Sequence, residues 1–254
     1  MCCLFLAASS TVAIAQTSVV DLVNPIIGTN GMGHTFPGAC VPFGLVQLSP
    51  DTDTIPHNVD GKYQPRSYEY CAGYQHKDSS IVGFSHTHFS GTGHSDLGDI
   101  LIMPTTGTLK LNPGTATNPD GGYRSRFSHD TEISRPGYYE VMLADYGVKA
   151  QLTTTQRVGI HKYTYPTNSE NQRIILDMIH GIYNYDGKVL WTNIRVENDT
   201  LVTGYRITNG WARTNYTYFA MSFSKPITHY GCEEKAKVNY RGGYAKFNMK
   251  ENFP

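Results

Sequence analysis

Residues 138–156 read YYEVMLADYGVKAQLTTTQ, and this stretch decides the fold class. Apolar and polar side chains alternate from Tyr138 to Asp145 and again from Val148 to Gln156. Because successive side chains of a strand point to opposite faces, this period of two predicts two strands that each turn one face to a core. Tyr146 and Gly147 supply the turn between them. The stretch therefore predicts an antiparallel β-hairpin.

Similar runs continue on both sides of this hairpin. They recur about every 10 to 12 residues with turn residues between them, which favours a sandwich or a barrel. No convincing helix longer than two turns is found, so we predict an all-β fold. The further predicted strands are Val19 to Val23, Val41 to Leu48, Ile81 to Phe89, Ile100 to Met103 ending at Pro104, Arg157 to Tyr165, Arg173 to Ile179, Lys188 to Val196 after a turn at Asp186-Gly187, Thr200 to Thr208, Tyr216 to Phe223, and a hairpin of Lys237 to Tyr240 with Tyr244 to Asn248 about Gly242-Gly243.

The composition limits the possible functions. The chain has 254 residues, enough for one large all-β domain or two small ones. Charged residues make up 17% and cancel to a net charge of zero, which argues against nucleic-acid or anionic-membrane partners. Eighteen tyrosines and ten phenylalanines supply a substantial core, and aromatic faces also suit sugar binding. Outside the first residues no apolar run is long enough to span a membrane.

Residues 1–15 predict a signal peptide. They contain two apolar runs, and Ala13-Ile14-Ala15 before Gln16 fits a small-x-small cleavage site. We therefore expect an exported protein, periplasmic or secreted to the medium or cell surface. Cys40, Cys71 and Cys232 would remain in the mature chain without CxxC spacing, which allows at most one disulfide and no zinc knuckle.

Residues 81–99 read IVGFSHTHFSGTGHSDLGD and concentrate histidine, aspartate and glycine. On the predicted strand, Phe84, His86 and His88 would share one face, while Ser85, Thr87 and Phe89 would share the other. Gly91 and Gly93 then allow a tight loop that another group can approach closely. The pattern predicts a sugar or metal site at the end of a strand. The alternative is a set of structural histidines, with Asp96 and Asp99 capping turns.

Two polar loops accompany this stretch. Residues 30–38 are rich in glycine but lack a GxGxxG pattern or a P-loop lysine, so a phosphate cradle is not predicted. Residues 50–70, with Asp51, Asp53 and His57, are predicted to be an exposed loop at the rim of a site.

The chemistry of the cluster leaves sugar and metal binding open. Sugar binding needs groups that pair with hydroxyls and an aromatic face, which His86, His88, Asp96, Tyr74 and either tryptophan, Trp191 or Trp211, could supply. The favoured interpretation of the two tryptophans is nevertheless that they lie in the core. A transition metal could be bound by His86 and His88 with His94 and Asp96, because imidazole suits zinc. Calcium prefers six to eight oxygens, so a histidine pair is a poor calcium site.

Several sequence blocks occur together in a fixed order. As a set they resemble the N-terminal region of glycoside hydrolase family 92, the calcium-dependent exo-acting α-mannosidases of bacteria. The blocks are Asn24-Pro25-Ile26-Ile27-Gly28-Thr29, Gly33-His34-Thr35-Phe36-Pro37-Gly38-Ala39, Pro42-Phe43-Gly44, Gly73-Tyr74, Gly83-Phe84-Ser85-His86-Thr87-His88-Phe89-Ser90-Gly91-Thr92-Gly93, and Arg157-Val158-Gly159-Ile160-His161-Lys162-Tyr163-Thr164-Tyr165-Pro166.

This resemblance implies a fold and an activity. Residues 16–254 would form a large antiparallel β-sandwich, a supersandwich of the galactose-mutarotase type. A helical catalytic domain absent from this chain would follow it and supply the general acid, the general base and most calcium ligands for inverting hydrolysis of terminal α-mannosides. No catalytic or metal residue is therefore assigned here. The residues implied in substrate binding at the domain interface are His86, His88, Gly91, Gly93, Asp96, Asp99 and Tyr74.

Three functions remain to be distinguished. The first is an accessory domain of an α-mannosidase, with mannose-containing glycans and the absent helical domain as partners and an exposed apolar face for docking. The second is a stand-alone carbohydrate-binding module with a complete site of its own. The third is a self-contained metal hydrolase that uses His86, His88 and His94 and requires their imidazoles to converge.

Overall fold

The computed structural model describes residues 18–56, 58–185, 187–235 and 244–250. Within these ranges the chain forms short strands and four short 3₁₀ helices. The helices are Val19–Leu22, Pro65–Tyr70, Pro119–Gly121 and His129–Thr131. The strands are β1 (Ala39–Cys40), β2 (Gln47–Asp51), β3 (Asn58–Val59), β4 (Lys62–Tyr63), β5 (Ser80–Ile81), β6 (Gly83–Ser85), β7 (Leu101–Thr105), β8 (Ser125–Arg126), β9 (Ile133–Arg135), β10 (Tyr138–Leu143), β11 (Val148–Thr154), β12 (Gly159–Thr164), β13 (Arg173–Asp177), β14 (Val189–Asn198), β15 (Leu201–Thr208), β16 (Asn215–Ser222), β17 (His229–Lys235) and β18 (Tyr244–Lys250).

Three antiparallel sheets make up most of the fold. A seven-stranded sheet has the order β1-β2-β6-β7-β13-β18-β17, so its centre joins strands distant in sequence. A four-stranded meander, β12-β11-β10-β9, and a three-stranded meander, β14-β15-β16, accompany it. β13 lies inside the large sheet, and all five of its residues are buried. Its sequence, RIILD, therefore lacks the alternation of a strand with one solvated face.

The two faces of the large sheet pack against different partners. On β7, Leu101 and Met103 belong to one apolar cluster, whereas Ile102 belongs to another together with Ile100, which directly precedes the strand. The first cluster also contains inward residues of β10 and β11, and the second contains residues of β13, β15 and β16. The large sheet is therefore covered by the four-stranded meander on one face and by the three-stranded meander on the other.

The predicted all-β antiparallel sandwich is confirmed. The hairpin of residues 138–156 is β10 paired with β11, and its register joins Leu143 to Val148 across the turn. The inward residues of β10, Tyr139, Val141 and Leu143, are fully buried. In the described ranges the longest helix is the six-residue 3₁₀ helix Pro65–Tyr70. None of these helices has the length and apolar character needed to cross a membrane.

Two predicted strands at the start of the chain are wrong. Val19 to Val23 is mostly a 3₁₀ helix, because the Ser18 side chain accepts a hydrogen bond from the Val20 N–H and the Asp21 carboxylate accepts one from the Ser18 N–H. Val41 to Leu48 contains a turn at residues 42–44, where Phe43 has a φ of 59°. Strand pairing therefore resumes only at Gln47.

Three other expectations need correction. Pro104 does not end its strand, since β7 continues to Thr105. β6 pairs with β7 only between Phe84 and Ile102, so the edge of β7 that faces β6 has no partner strand at Pro104, and a proline without an N–H is tolerated at such an edge. Residues 50–70 are not one exposed loop, since Asp51 is buried in β2 and Pro65–Tyr70 is helical. The expected strand from Ile81 to Phe89 is interrupted and ends at Ser85.

Parts of several predictions lie outside the described residues. They are the signal peptide at residues 1–15, His57, Asp186, Lys237 to Tyr240, and the turn at Gly242-Gly243. β17 and β18 do pair antiparallel, with Lys235 opposite Tyr244.

Candidate functional site

The loop that follows β6 lies at the surface and is contacted by two segments from earlier in the chain. Gly91 has a φ of +71°, and its N–H donates a hydrogen bond of 2.6 Å to the carbonyl of His34. His34 itself has a φ of 54° and packs edge-on against the Tyr68 ring, with 4.7 Å between ring centroids. A Cβ at Gly93 would overlap the Tyr68 hydroxyl, so the glycine lets the Tyr68 ring lie directly against the loop. Three distant segments therefore meet at this loop.

An exposed aromatic side chain stands beside the loop. Trp211 is 67% exposed, and His94 packs edge-on against its ring at a centroid distance of 4.4 Å. Phe89 approaches the same ring from the other end of the loop at 6.4 Å. The sequence expectation that both tryptophans lie in the core is wrong, because Trp191 is also 49% exposed. We call His34, Tyr68, Phe89, Gly91, Gly93, His94 and Trp211 the aromatic rim.

Asp96 anchors this rim from below. Its carboxylate forms a buried ion pair with Lys188 and accepts hydrogen bonds of 2.9 Å from the backbone N–H groups of Leu97 and Trp211. Burial raises the pKa of Asp96, but the hydrogen bond from Lys188 and these N–H groups outweigh burial and lower it. Asp96 is therefore an ionised support that fixes the backbone of Trp211.

Asp99 is also held within the protein. Its carboxylate accepts a hydrogen bond of 2.8 Å from the Thr87 hydroxyl and lies 3.2 Å from Nε of Arg206. Both charged side chains are almost completely buried. Burial lowers the pKa of Arg206, and the opposing effect of Asp99 limits that shift. This ion pair joins the loop after β6 to strand β15.

His88 turns away from the rim into a buried polar cluster. Its Nδ1 donates to the carbonyl of Gln47 at 2.7 Å, and its Nε2 donates to Asp51 at 2.8 Å, so the ring carries both protons. His180 lies 2.7 Å from the other oxygen of Asp51. Burial raises the pKa of Asp51, but the charge of His88 and the hydrogen bonds from both rings hold it well below its usual range.

His86 lies in a different environment from His88. Its Nδ1 donates to the carbonyl of Ile100 at 2.7 Å, so its Nε2 accepts from His161, 3.0 Å away. His161 Nδ1 in turn accepts from the Tyr163 hydroxyl at 2.7 Å. Burial lowers the pKa of His86 to about 4, so the ring is neutral at neutral pH. This pair lines a cleft of about 1250 Å³ between β12 and β16.

The expectation that His86 and His88 share one face is wrong. β6 ends at Ser85, and the His88 Nε2 lies 3.1 Å from the Ser85 hydroxyl, which was expected on the other face. His94 lies elsewhere again, against Trp211. Among the described residues, His86, His88 and His94 do not form a group able to hold a metal ion. The imidazole convergence required by a self-contained metal hydrolase is therefore not found.

Tyr74 belongs to a third environment. Its side chain is 1% exposed, and its hydroxyl donates to Glu132 at 2.8 Å. Burial and the adjacent charge of Glu132 raise the pKa of Tyr74, which keeps its proton in place for this hydrogen bond. Of the predicted site residues, the fold thus brings Gly91 and Gly93 to the rim and places the others, Asp96 included, beneath it or elsewhere.

Calcium does not fit the described residues of the rim. The carboxylates nearest to it, Asp96 and Asp99, are already paired with Lys188 and Arg206. The groups that remain at the surface are imidazoles, a phenol and an indole, whereas calcium requires six to eight oxygen ligands.

The sequence comparison places the chain in a family. Residues 22–252 match the profile described as the glycosyl hydrolase family 92 N-terminal domain, which covers most of the chain. The chain belongs to glycoside hydrolase family 92. It is also 29% identical over 170 residues to a protein of Arthroderma benhamiae named as an uncharacterized secreted glycosidase, covering 63% of this chain and 19% of that protein.

Solved structures of family 92 members share the fold. A family 92 α-mannosidase from Bacteroides thetaiotaomicron, solved in complex with mannoimidazole, is 39% identical with a TM-score of 0.80, covering 92% of this chain and 30% of that chain. A second structure of the same enzyme gives a TM-score of 0.79 at 39% identity, covering 92% of this chain and 31% of that chain. The family 92 hydrolase ccman5 is 22% identical with a TM-score of 0.67, which supports the fold. This chain therefore spans less than a third of these relatives.

Sequence reasoning about the family 92 domain missed His34 and Tyr68 as site members, and it named Trp211 as a possible sugar contact but favoured the core for it. His34 lies in a glycine-rich loop and in a family block, so the family pattern offered a signal for it. Tyr68 was assigned to an exposed loop, and Trp211 was assigned to the core. Asn209-Gly210 before Trp211 predicted a turn, and a tryptophan next to a turn is a signal for exposure.

Proposed function

We propose that this chain is the N-terminal sandwich domain of an exo-acting, inverting, calcium-dependent α-mannosidase that trims terminal mannose from N-glycans or mannans. Its relatives of known structure are named α-mannosidases, and one was solved with mannoimidazole. In this proposal the aromatic rim is the part of the domain that contacts the sugar.

One observation carries this proposal. Trp211 presents an exposed indole face whose backbone is fixed by buried Asp96, beside the tight Gly91 and Gly93 loop. An aromatic face fixed in this way supplies the apolar contact that a pyranose ring needs, while imidazole and hydroxyl groups pair with its hydroxyls. The His34 Nε2 adds a buried nitrogen that has no hydrogen-bond partner within the part of the chain that the structure describes.

The catalytic carboxyl groups are proposed to lie outside this chain. Inverting hydrolysis requires two carboxyl groups roughly 6.5–9.5 Å apart, one of them with a raised pKa. Asp96 has a lowered pKa and is paired with Lys188, and Asp99 is buried against Arg206. Neither is suited to deliver a proton to a glycosidic oxygen. The described residues of the rim do not supply the six to eight oxygen ligands that calcium requires. Most calcium ligands are therefore also assigned to the remaining part of the enzyme.

A helical domain is proposed to dock beside the rim. Leu45, Val158 and Ile160 are exposed apolar side chains on the wall of the large cleft, and Phe43 extends fully into solvent next to them. The Leu45 N–H donates to the Gln156 carbonyl at 2.7 Å, which holds the two segments together. Contiguous exposed apolar side chains of this kind mark interaction surfaces.

The enzyme is also proposed to be exported from the cell. The apolar start with its small-x-small site and the secreted glycosidase among the relatives both support a periplasmic, cell-surface or secreted enzyme.

The test compares two exposed tryptophans in the complete enzyme. Trp211→Ala is expected to lower kcat/KM for α-mannobiose by at least about tenfold, because the sugar loses its stacking face. Trp191→Ala is the matched control, since it removes an exposed indole from β14, and it should leave kcat/KM within about twofold of wild type. Equal kinetics in both variants would overturn the assignment of the rim.

A titration of the isolated chain distinguishes a domain whose sugar site is incomplete from the alternative, a stand-alone carbohydrate-binding module. Mannose and α-mannobiose are titrated calorimetrically with Ca²⁺ and with chelator, alongside an assay for mannose release. Weak or absent binding without release supports an incomplete site. Binding as tight as in the complete enzyme supports the independent module, and release by this chain alone contradicts the proposed location of the catalytic groups.

A further inference from the structure

Two histidines and a glutamate meet at the surface away from the aromatic rim. His76, His129 and Glu132 each offer one ligand atom, and these atoms all lie within 4.8 Å of one another. His129 is exposed to solvent, His76 is half-buried, and the side chain of Glu132 is almost completely buried. Of the described residues, only these form such a group of three. An ion could therefore enter from solvent and find nitrogen and oxygen donors together.

The local structure holds the two sides of this cluster in place. His129 and Glu132 flank the 3₁₀ helix His129–Thr131, and the His129 Nδ1 lies 2.6 Å from Glu132 Oε2. The Ser128 hydroxyl caps this helix by accepting from the Asp130 N–H. His76 arrives from a segment 53 positions earlier, and its N–H donates to the Thr29 carbonyl at 2.9 Å. The His76 and His129 rings face each other with 3.9 Å between centroids.

Glu132 has partners that would orient it as a ligand. Its Oε1 accepts hydrogen bonds from the hydroxyls of Tyr139, at 2.6 Å, and Tyr74, at 2.8 Å. Both tyrosines are buried, so these bonds fix the carboxylate from its inner side. Its Oε2 lies 3.0 Å from the Tyr74 hydroxyl and 2.6 Å from His129 Nδ1. Carboxylates that bind metals are usually held by outer hydrogen bonds of this type.

His76 supplies an independent observation. Its Nδ1 is buried and has no hydrogen-bond partner among the described residues. Buried polar atoms are nearly always paired, so such an atom calls for a partner that the described part of the chain does not provide. A metal ion accepts the lone pair of a neutral imidazole nitrogen and would satisfy it.

We propose that His76, His129 and Glu132 bind a divalent transition-metal ion, with zinc the best match, and that water completes the coordination. Two imidazoles and one carboxylate form a ligand set typical of zinc, whereas calcium requires more oxygen donors. Tetrahedral zinc with bonds of 2.0–2.1 Å needs ligand atoms about 3.3 Å apart. The ligand atoms lie within 4.8 Å of one another, and His129 Nδ1 is 2.6 Å from Glu132 Oε2, so the two imidazole rings would have to rotate around the fixed carboxylate to reach that geometry.

The proposed ion would tie two separate segments together. His76 precedes β5, and Glu132 directly precedes β9 at the edge of the four-stranded meander. Because the ion binds the folded arrangement and not the unfolded chain, it should raise the unfolding temperature as its concentration rises.

The experiment measures zinc binding by the intact protein in saturating Ca²⁺, which fills sites built from oxygen ligands. Calorimetry is expected to give one zinc per chain at this site, with a parallel increase in unfolding temperature. Co²⁺ should bind with the visible absorption of a nitrogen-ligated tetrahedral centre. His129→Gln and His76→Gln should each raise the Kd for zinc by at least about tenfold.

His229→Gln is the matched control, because His229 is a solvent-exposed histidine on β17. It should leave the Kd for zinc unchanged. Loss of zinc binding in His129→Gln with the unfolding temperature of the metal-free protein unchanged would separate ligation from folding. Wild-type zinc affinity in both His76→Gln and His129→Gln, or no zinc binding by the wild-type protein, would overturn the site.

Discussion

At the residue scale, the region below the rim contains several buried charged side chains, each paired with a partner. Asp51 is fully buried and contacts two histidine rings, and Asp96 and Asp99 pair with Lys188 and Arg206. Removing one partner of such a pair leaves an uncompensated charge in a poorly solvated position, which costs much more than losing a surface pair. The polar residues that look like site chemistry in the sequence are therefore supports for the loops that carry the rim.

Asp51→Asn tests this at the residue scale. The folded pKa of Asp51 is held below its unfolded value, so the carboxylate stabilises the fold above the ordinary aspartate pKa and loses that effect as the pH falls toward the folded value. We expect a loss of about 3–5 kcal/mol in the free energy of unfolding at neutral pH, measured by urea denaturation. The difference from wild type should narrow below about pH 4.

Asp199→Asn provides the control for that measurement, since Asp199 is exposed in the turn between β14 and β15. Its unfolding free energy should stay within about 0.5 kcal/mol of wild type. An Asp51→Asn protein as stable as this control at neutral pH would contradict a stabilising role for the buried cluster.

At the scale of elements, backbone contacts fix the loop after β6. The Gly98 N–H donates to the Thr87 carbonyl at 2.9 Å, and the Ile182 N–H donates to the Leu97 carbonyl at 3.1 Å. Gly98 has a φ of +76°, and a Cβ there would lie 2.7 Å from the Ile182 backbone nitrogen. Glycine is thus required at position 98 for two reasons: its backbone has a positive φ, and the Ile182 segment approaches too closely for a side chain.

A pair of glycine variants separates these two requirements. Gly107 has a φ of +71° with open space around its Cβ position, so Gly107→Ala should cost about 1 kcal/mol through conformation alone. Gly98→Ala should cost at least about 2 kcal/mol more, because backbone must also move. Denaturant unfolding of both variants measures the difference, and equal losses would show that the contact with residue 182 is unimportant.

At the scale of the whole molecule, the sandwich leaves apolar surface beside its large cleft. Both faces of the seven-stranded sheet are already covered by the two meanders, so Phe43, Leu45, Val158 and Ile160 are not needed for its core. In the proposed enzyme a second domain covers them. Their contribution to stability should then depend on whether that domain is present.

Phe43→Asn tests that dependence. Asparagine tolerates the left-handed conformation at this position, so the isolated chain should change by less than about 0.5 kcal/mol. In the complete enzyme the same change should cost about 1.5–3 kcal/mol of unfolding free energy, because a buried phenylalanine is lost at the interface. Leu109→Asn is the control, since this exposed leucine does not line the cleft. An equal effect of Phe43→Asn in both proteins would contradict docking at this surface.

Much of the fold could be predicted because its signals are local. Alternation in residues 138–143 and 148–154, together with a turn at Tyr146-Gly147, is enough to specify the hairpin of β10 and β11. The strand predictions failed where the pattern of apolar residues does not determine the structure. At Ser18 a capping hydrogen bond starts a 3₁₀ helix, and at Pro104 the strand continues because no strand pairs with it on the β6 side.

By itself, the sequence determined most of the later strands, the all-β class, the family and the position of the loop at Gly91 and Gly93. Only the tertiary structure decided what each polar group contacts. His86 and His88 are two residues apart, yet the end of β6 directs one to His161 and the other to Asp51. Trp211 and His94, or His76 and His129, meet across long separations because sheet order joins strands distant along the chain. Spacing in sequence carries no information about contacts that strand order creates.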